Sequence, residues 1–108
     1  RAVAALPPYS DPRPLASALA DRSPSVRAAA RGRLVAGGTD PASAYRTLLD
    51  KPPGRGLVPG LLIGLGECGR ENDLAELHAH LDAEEPAYRR AARAGAVALT
   101  RTWGADLR

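Results

Sequence analysis

The chain has 108 residues, enough for one hydrophobic core of ordinary size and too few for two catalytic domains. Its apolar share of 44% and charged share of 25% are those of a globular protein, which excludes wholesale disorder, and it has no run of about 18 apolar residues to cross a bilayer. A single cysteine excludes an internal disulfide framework, the net charge of +3 is modest, and no signal-peptide pattern is present, so the expected compartment is the cytoplasm and no membrane partner is expected.

Fourteen of the fifteen basic residues are arginine and only Lys51 is lysine, alanine and leucine dominate, and methionine and phenylalanine are absent. Such usage resembles the coding bias of a GC-rich bacterial genome, so the arginine count is not by itself a functional signal. Alanine and leucine are strong helix formers and β-branched residues are scarce, which predicts an all-α chain.

In chain order, Arg1 to Leu6 reads as the tail of an earlier helix or a linker, ended by Pro7-Pro8 and extending over residues 1–12. Pro14 to Ala20 carries Leu15 and Leu19 at helical spacing. Ser23 and Pro24 then supply a cap and a first-turn proline for a helix with Val26, Ala30 and Leu34 on one face, broken at Gly37-Gly38. Asp40 as cap and Pro41 at the first helical position open the next helix, which reaches Asp50 and carries Tyr45, Leu48 and Leu49. Residues 51–56, with Pro52 and Pro53, form a stiff loop that cannot be helical. Leu57, Leu61 and Leu65 mark a fourth helix, stopped by Gly69, and Leu74, Leu77 and Leu81 a fifth over Asp73 to Ala83, where Asp73 and Glu76 have the spacing of a capping box. After Glu85-Pro86, a sixth helix carries Tyr88, Ala92 and Ala96, with Tyr88 inward by register, and residues 101–108 read as a C-terminal tail holding Trp103.

These elements repeat. Residues 24–35 and 86–97 correspond at a separation of 62, with Pro24 matching Pro86, Arg27 matching Arg89, Arg31 matching Arg93 and Val35 matching Val97. Half that step takes Val26, Ala30 and Leu34 to Leu57, Leu61 and Leu65, so three helices present the same apolar stripe, each preceded by a partner helix. The predicted units are 13–38, 39–69 and 70–100.

The segment from Leu19 to Ala30 resembles the inter-helix region of HEAT-like repeats, in the short bacterial form of lyase-related and adaptor proteins. The resemblance covers residues 13–100 and implies an α-α superhelix, a solenoid of about three helical pairs. It also implies that Asp21, six positions before Arg27, ties neighbouring repeats together with that arginine. The third unit has Ala83 where the aspartate should stand, and the middle unit has Val58 where the arginine should stand. Such repeats host many functions, and three is near the minimum for a stable stack, so continuation into a larger solenoid is expected.

Three patterns invite catalytic readings. Gly64-Leu65-Gly66-Glu67-Cys68-Gly69, with Glu84 downstream, matches a dinucleotide-binding turn, but Pro59 and Gly60 interrupt the strand it would need, so no cofactor is expected. His78 and His80 lie near Glu76 and Asp82, yet residues two apart on a helix point in nearly opposite directions, so no metal is expected. Cys68 falls on a core-facing stripe and reads as a small hydrophobe, not a nucleophile. No catalytic residues are assigned.

The remaining signal is the arginines. Arg27 with Arg31 and Arg89 with Arg93 occupy equivalent positions on the flank that lines the concave side in HEAT-like proteins, and Val58 and Leu62 occupy it in the middle unit. A groove that is apolar at its centre and basic at its rims predicts a non-enzymatic interaction or scaffold module for a peptide or acidic protein surface, with Arg27, Arg31, Val58, Leu62, Arg89 and Arg93 as the contact residues. The competing account makes these arginines structural. Nucleic-acid binding, as in HEAT-like DNA-repair glycosylases, is the alternative suggested by a pI near 9.6, but +3 and few aromatics favour it less. A further alternative is an accessory part of a larger enzyme.

Overall fold

The computed structural model describes residues 13–106, and the expectation for residues 1–12 lies outside them. Six α-helices follow one another: α1 (Arg13–Leu19), α2 (Pro24–Ala36), α3 (Pro41–Asp50), α4 (Val58–Cys68), α5 (Leu74–Ala79) and α6 (Pro86–Asp106). Short 3-10 turns at Arg55–Leu57 and Glu71–Asp73 lead into α4 and α5, and the described residues contain no strand. The chain is all-α, as its composition predicts.

Local chemistry sets most of the boundaries. Ser23, extended at the head of α2, accepts from the Val26 amide at 3.4 Å, and Pro24 follows in the first turn. The helix ends in a Schellman motif: Gly38 has φ +86°, Thr39 N–H donates to Leu34 at 2.8 Å and Gly38 N–H to Val35 at 3.0 Å. Pro52 holds Lys51 out of the helical region and stops α3 at Asp50.

Two boundaries differ from expectation. The fifth helix is only Leu74–Ala79: the chain leaves the helix in turns at His80–Asp82, and at its head Asp73 forms no box with Glu76, its carboxylate accepting instead from the Arg70 amide at 2.8 Å and closing the preceding 3-10 turn. Residues 101–106 are not a tail, since α6 runs through them. Trp103 gives this extension a fixed end by donating its indole N–H to the Gly69 carbonyl at 3.0 Å.

The core is built around α4. Leu61, Leu62 and Leu65 are fully buried, and α1, α3, α5 and α6 all pack on this helix. A helix covered on so many sides reads as apolar all round, which is what Val58, Leu61, Leu62, Ile63 and Leu65 supply. Glycines let the neighbours come close. A Cβ on Gly60 would overlap the Ala20 carbonyl, one on Gly64 the Tyr45 ring, and one on Gly66 the backbone of Gly95. Gly95 in turn faces the Leu62 carbonyl, 2.6 Å from where its own Cβ would stand. The predicted stripes face inward at Ala30, Leu34, Leu61, Leu65 and Ala92, while Val26 at the start of α2 is exposed and Tyr88 and Ala96 are only partly covered. The radius of gyration, 13.5 Å, is that of a compact domain of this length.

Gly32 is the contrasting case, lying within α2 with open space where its Cβ would be. Gly32→Ala should therefore raise stability by about 0.5–1 kcal/mol through helix propensity. Gly64→Ala should lower it by about 2–3 kcal/mol, because the Tyr45 ring has to move out of a filled core. Urea denaturation of the two variants checks both signs.

Candidate functional site

Arg27 is 5% exposed and fully engaged. Its Nε and Nη2 donate to the two carboxylate oxygens of Glu67 at 3.0 and 2.6 Å, and Nη1 donates to the backbone carbonyls of Asp21 at 2.7 Å and Arg22 at 3.1 Å. Arg31 also reaches Glu67, at 2.8 Å, and donates to the Tyr45 hydroxyl at 3.3 Å; that hydroxyl donates to the Leu19 carbonyl at 2.7 Å. One carboxylate on α4 thus gathers two guanidiniums from α2 and, through Arg31 and Tyr45, the middle of α3 and the end of α1. The bond from Arg27 holds the Glu67 carboxyl below its ordinary range against the opposing effect of burial.

The Asp21–Arg27 tie takes a different form from the one the repeat resemblance implies. The Asp21 carboxylate accepts from the Ser23 amide at 2.9 Å, and Arg27 binds the main chain of Asp21 instead. Arg89 repeats the arrangement 62 residues on, donating to the carbonyls of Ala83 at 2.7 Å and Glu84 at 2.9 Å. Ala83 can stand where an aspartate was expected because no side chain is needed there.

The six residues expected to form one groove do not share a surface. Arg27 and Arg31 are joined to Glu67, Arg89 braces the turn before α6, and Val58 and Leu62 lie in the core, 4% and 0% exposed. The reason is that α4 is sandwiched: positions that would be flanks on an outer helix are interior on this one. Among the six, only Arg93 is exposed.

Arg93 lies on the outer face of α6 with residues that sequence reasoning did not assign. Arg93, Val97 and Arg101, spaced by four, form a ridge with an open cleft on either side. One cleft, of about 430 Å³, is completed by Leu81, Ala96 and Thr100; the other, of about 460 Å³, by Arg90, Ala94 and Ala98. Val97 is 45% exposed. Among the described residues no carboxylate pairs with Arg90, Arg93 or Arg101, whereas Arg27, Arg31, Arg46, Arg55 and Arg70 all have acidic partners. The i, i+4, i+8 spacing of Arg93, Val97 and Arg101 was legible in the sequence; that this face stays open was not.

The other candidate chemistries find no support in the geometry. The Gly64–Gly69 stretch is helical through Cys68, with Gly64 and Gly66 turned to Tyr45 and Gly95, so it forms no phosphate-cradling loop. His80 donates its Nδ1–H to the Glu76 carbonyl at 3.0 Å, His78 is exposed, and among the described residues no three metal-binding side chains converge. Burial pushes the Cys68 thiol up to about 11, so it carries almost no thiolate at neutral pH.

Glu67→Gln should cost about 1–3 kcal/mol at pH 7, since Arg27 is left buried without a counter-charge. Because the folded-state pKa of Glu67 lies below its unfolded value, its contribution is complete above that value, about 4.3, and is lost as pH falls further. Urea midpoints measured between pH 7 and pH 3 should therefore fall less steeply for Glu67→Gln than for the unsubstituted chain. Compared with family models, with curated proteins and with solved structures, the chain matches none, so its geometry carries the functional reading.

Proposed function

We propose that this chain is a non-enzymatic protein-interaction module, a short HEAT-like superhelix of three helical pairs, and that its outer α6 face holds an acidic partner. The matching bonds of Arg27 and Arg89 to the carbonyls six and five residues before them support the repeat reading. The observation that carries the functional reading is the exposed set of Arg90, Arg93 and Arg101 around Val97, unpaired among the described residues, whereas Arg27, Arg31, Arg46, Arg55 and Arg70 each meet a carboxylate. An apolar contact ringed by guanidiniums suits a carboxylate-bearing protein surface, since arginine binds carboxylates in bidentate geometry and valine contributes burial.

No described helix is long and apolar enough to cross a membrane. A cytoplasmic location is part of the proposal and rests on the free, partly buried Cys68. The partner surface includes, as one case, the next unit of a longer solenoid.

Arg93→Ala/Arg101→Ala should leave helicity and melting nearly unchanged, because both side chains are exposed, and should weaken capture of specific proteins from a bacterial lysate several-fold. The measurement is a pull-down with nuclease treatment and a salt series. Capture that the substitutions do not affect, or recovery of nucleic acid alone with steep salt dependence, would overturn the proposal.

A further inference from the structure

Resting on that reading, we infer that the α6 face receives one amphipathic helix of the partner, carrying an aliphatic side chain with a carboxylate four residues to either side. Arg93, Val97 and Arg101 form a single i±4 row, and such a row packs into the groove between the corresponding rows of another helix. The clefts on its two sides are floored by small residues, Ala94 and Ala98 on one and Ala96 on the other, which lets a second helix approach closely. Leu81, projecting from the turn after α5, closes one cleft and supplies an apolar wall beyond Val97.

The charges fix the partner's pattern. Arg93 and Arg101 are eight residues apart, a rise of about 12 Å along the axis. A helix with acidic residues at the same separation meets both guanidiniums while its central aliphatic residue lies against Val97, Ala96 and Leu81. The motif is acidic-x3-aliphatic-x3-acidic, and charge complementarity selects it: the face has three arginines and, among the described residues, no pairing carboxylate. A nucleic-acid backbone fits less well, since three phosphate contacts give a salt slope of only about −2 to −3 and leave Val97 without an apolar contact.

The test uses the whole chain and three probes: an 18-residue alanine- and glutamine-based helical peptide with Glu, Leu and Glu at i, i+4 and i+8; an isomer with the same residues out of register; and a 20-mer of thymidine. Affinity is followed by NMR titration, with the Val97 and Leu81 methyl signals as local reporters. The expected result is that the in-register peptide binds about tenfold or more tightly than the isomer, moves both methyl signals, and loses about tenfold or more in affinity to Arg93→Ala/Arg101→Ala. Equal binding of the two peptides that still depends on Arg93 and Arg101 would overturn the helical geometry and leave the acidic-partner reading standing. Peptides that leave the Val97 and Leu81 signals unmoved, with or without binding by the thymidine 20-mer, would overturn both.

Discussion

The ring of Tyr45 lies across the bare Cα of Gly64, and the rest of the structure depends on that contact. It sets how close α3 comes to α4, and it leaves the Tyr45 hydroxyl at the place where α1 ends, donating to the Leu19 carbonyl. The same hydroxyl accepts from Arg31, which with Arg27 converges on Glu67, one helical turn beyond Gly64. The buried Tyr45 hydroxyl and the buried Arg27 guanidinium each demand partners, and each finds them, the hydroxyl in Arg31 and the Leu19 carbonyl, the guanidinium in Glu67 and the carbonyls of Asp21 and Arg22. Among the described residues no buried side-chain polar atom is left unsatisfied.

This arrangement changes what the arginines mean. Arginine is an efficient structural residue because one planar group can serve a carboxylate and two carbonyls at once, as Arg27 does. Arg46 likewise takes both oxygens of the nearly buried Asp73, and Arg70 takes Asp40. Asp40 is thereby drawn to an ion pair at the head of α3, where a side-chain cap was expected. Several arginines are thus committed to holding helices together, while on the outer α6 face three exposed arginines with no carboxylate partner among the described residues surround the exposed Val97.

Helix identity, the helical pairs and most boundaries were legible in the sequence, because prolines, glycines and apolar spacing act locally. Of the match between residues 24–35 and 86–97, the bonds of Arg27 and Arg89 to the preceding turn correspond, whereas Arg31 meets Glu67 and Arg93 stays exposed. The shortness of α5 was not legible: no proline or glycine marks its end, yet the chain passes into turns at His80–Asp82, with Leu81 N–H donating to the His78 carbonyl and Ala83 N–H to that of His80. Nor was the length of α6 beyond residue 100, which depends on Trp103 finding the carbonyl of Gly69.

Periodicity by itself determined that this chain forms helices and which face of each is apolar, since a helix repeats every 3.6 residues wherever it lies. Periodicity carries no information about how many sides of a helix are covered. Only the tertiary packing decided that α4 is interior, which moved Val58 and Leu62 from a predicted groove into the core. It also decided that Glu67 claims Arg27 and Arg31 while Arg93 stays open. Whether a charged side chain is structural or available depends on which distant residue the fold brings to its end.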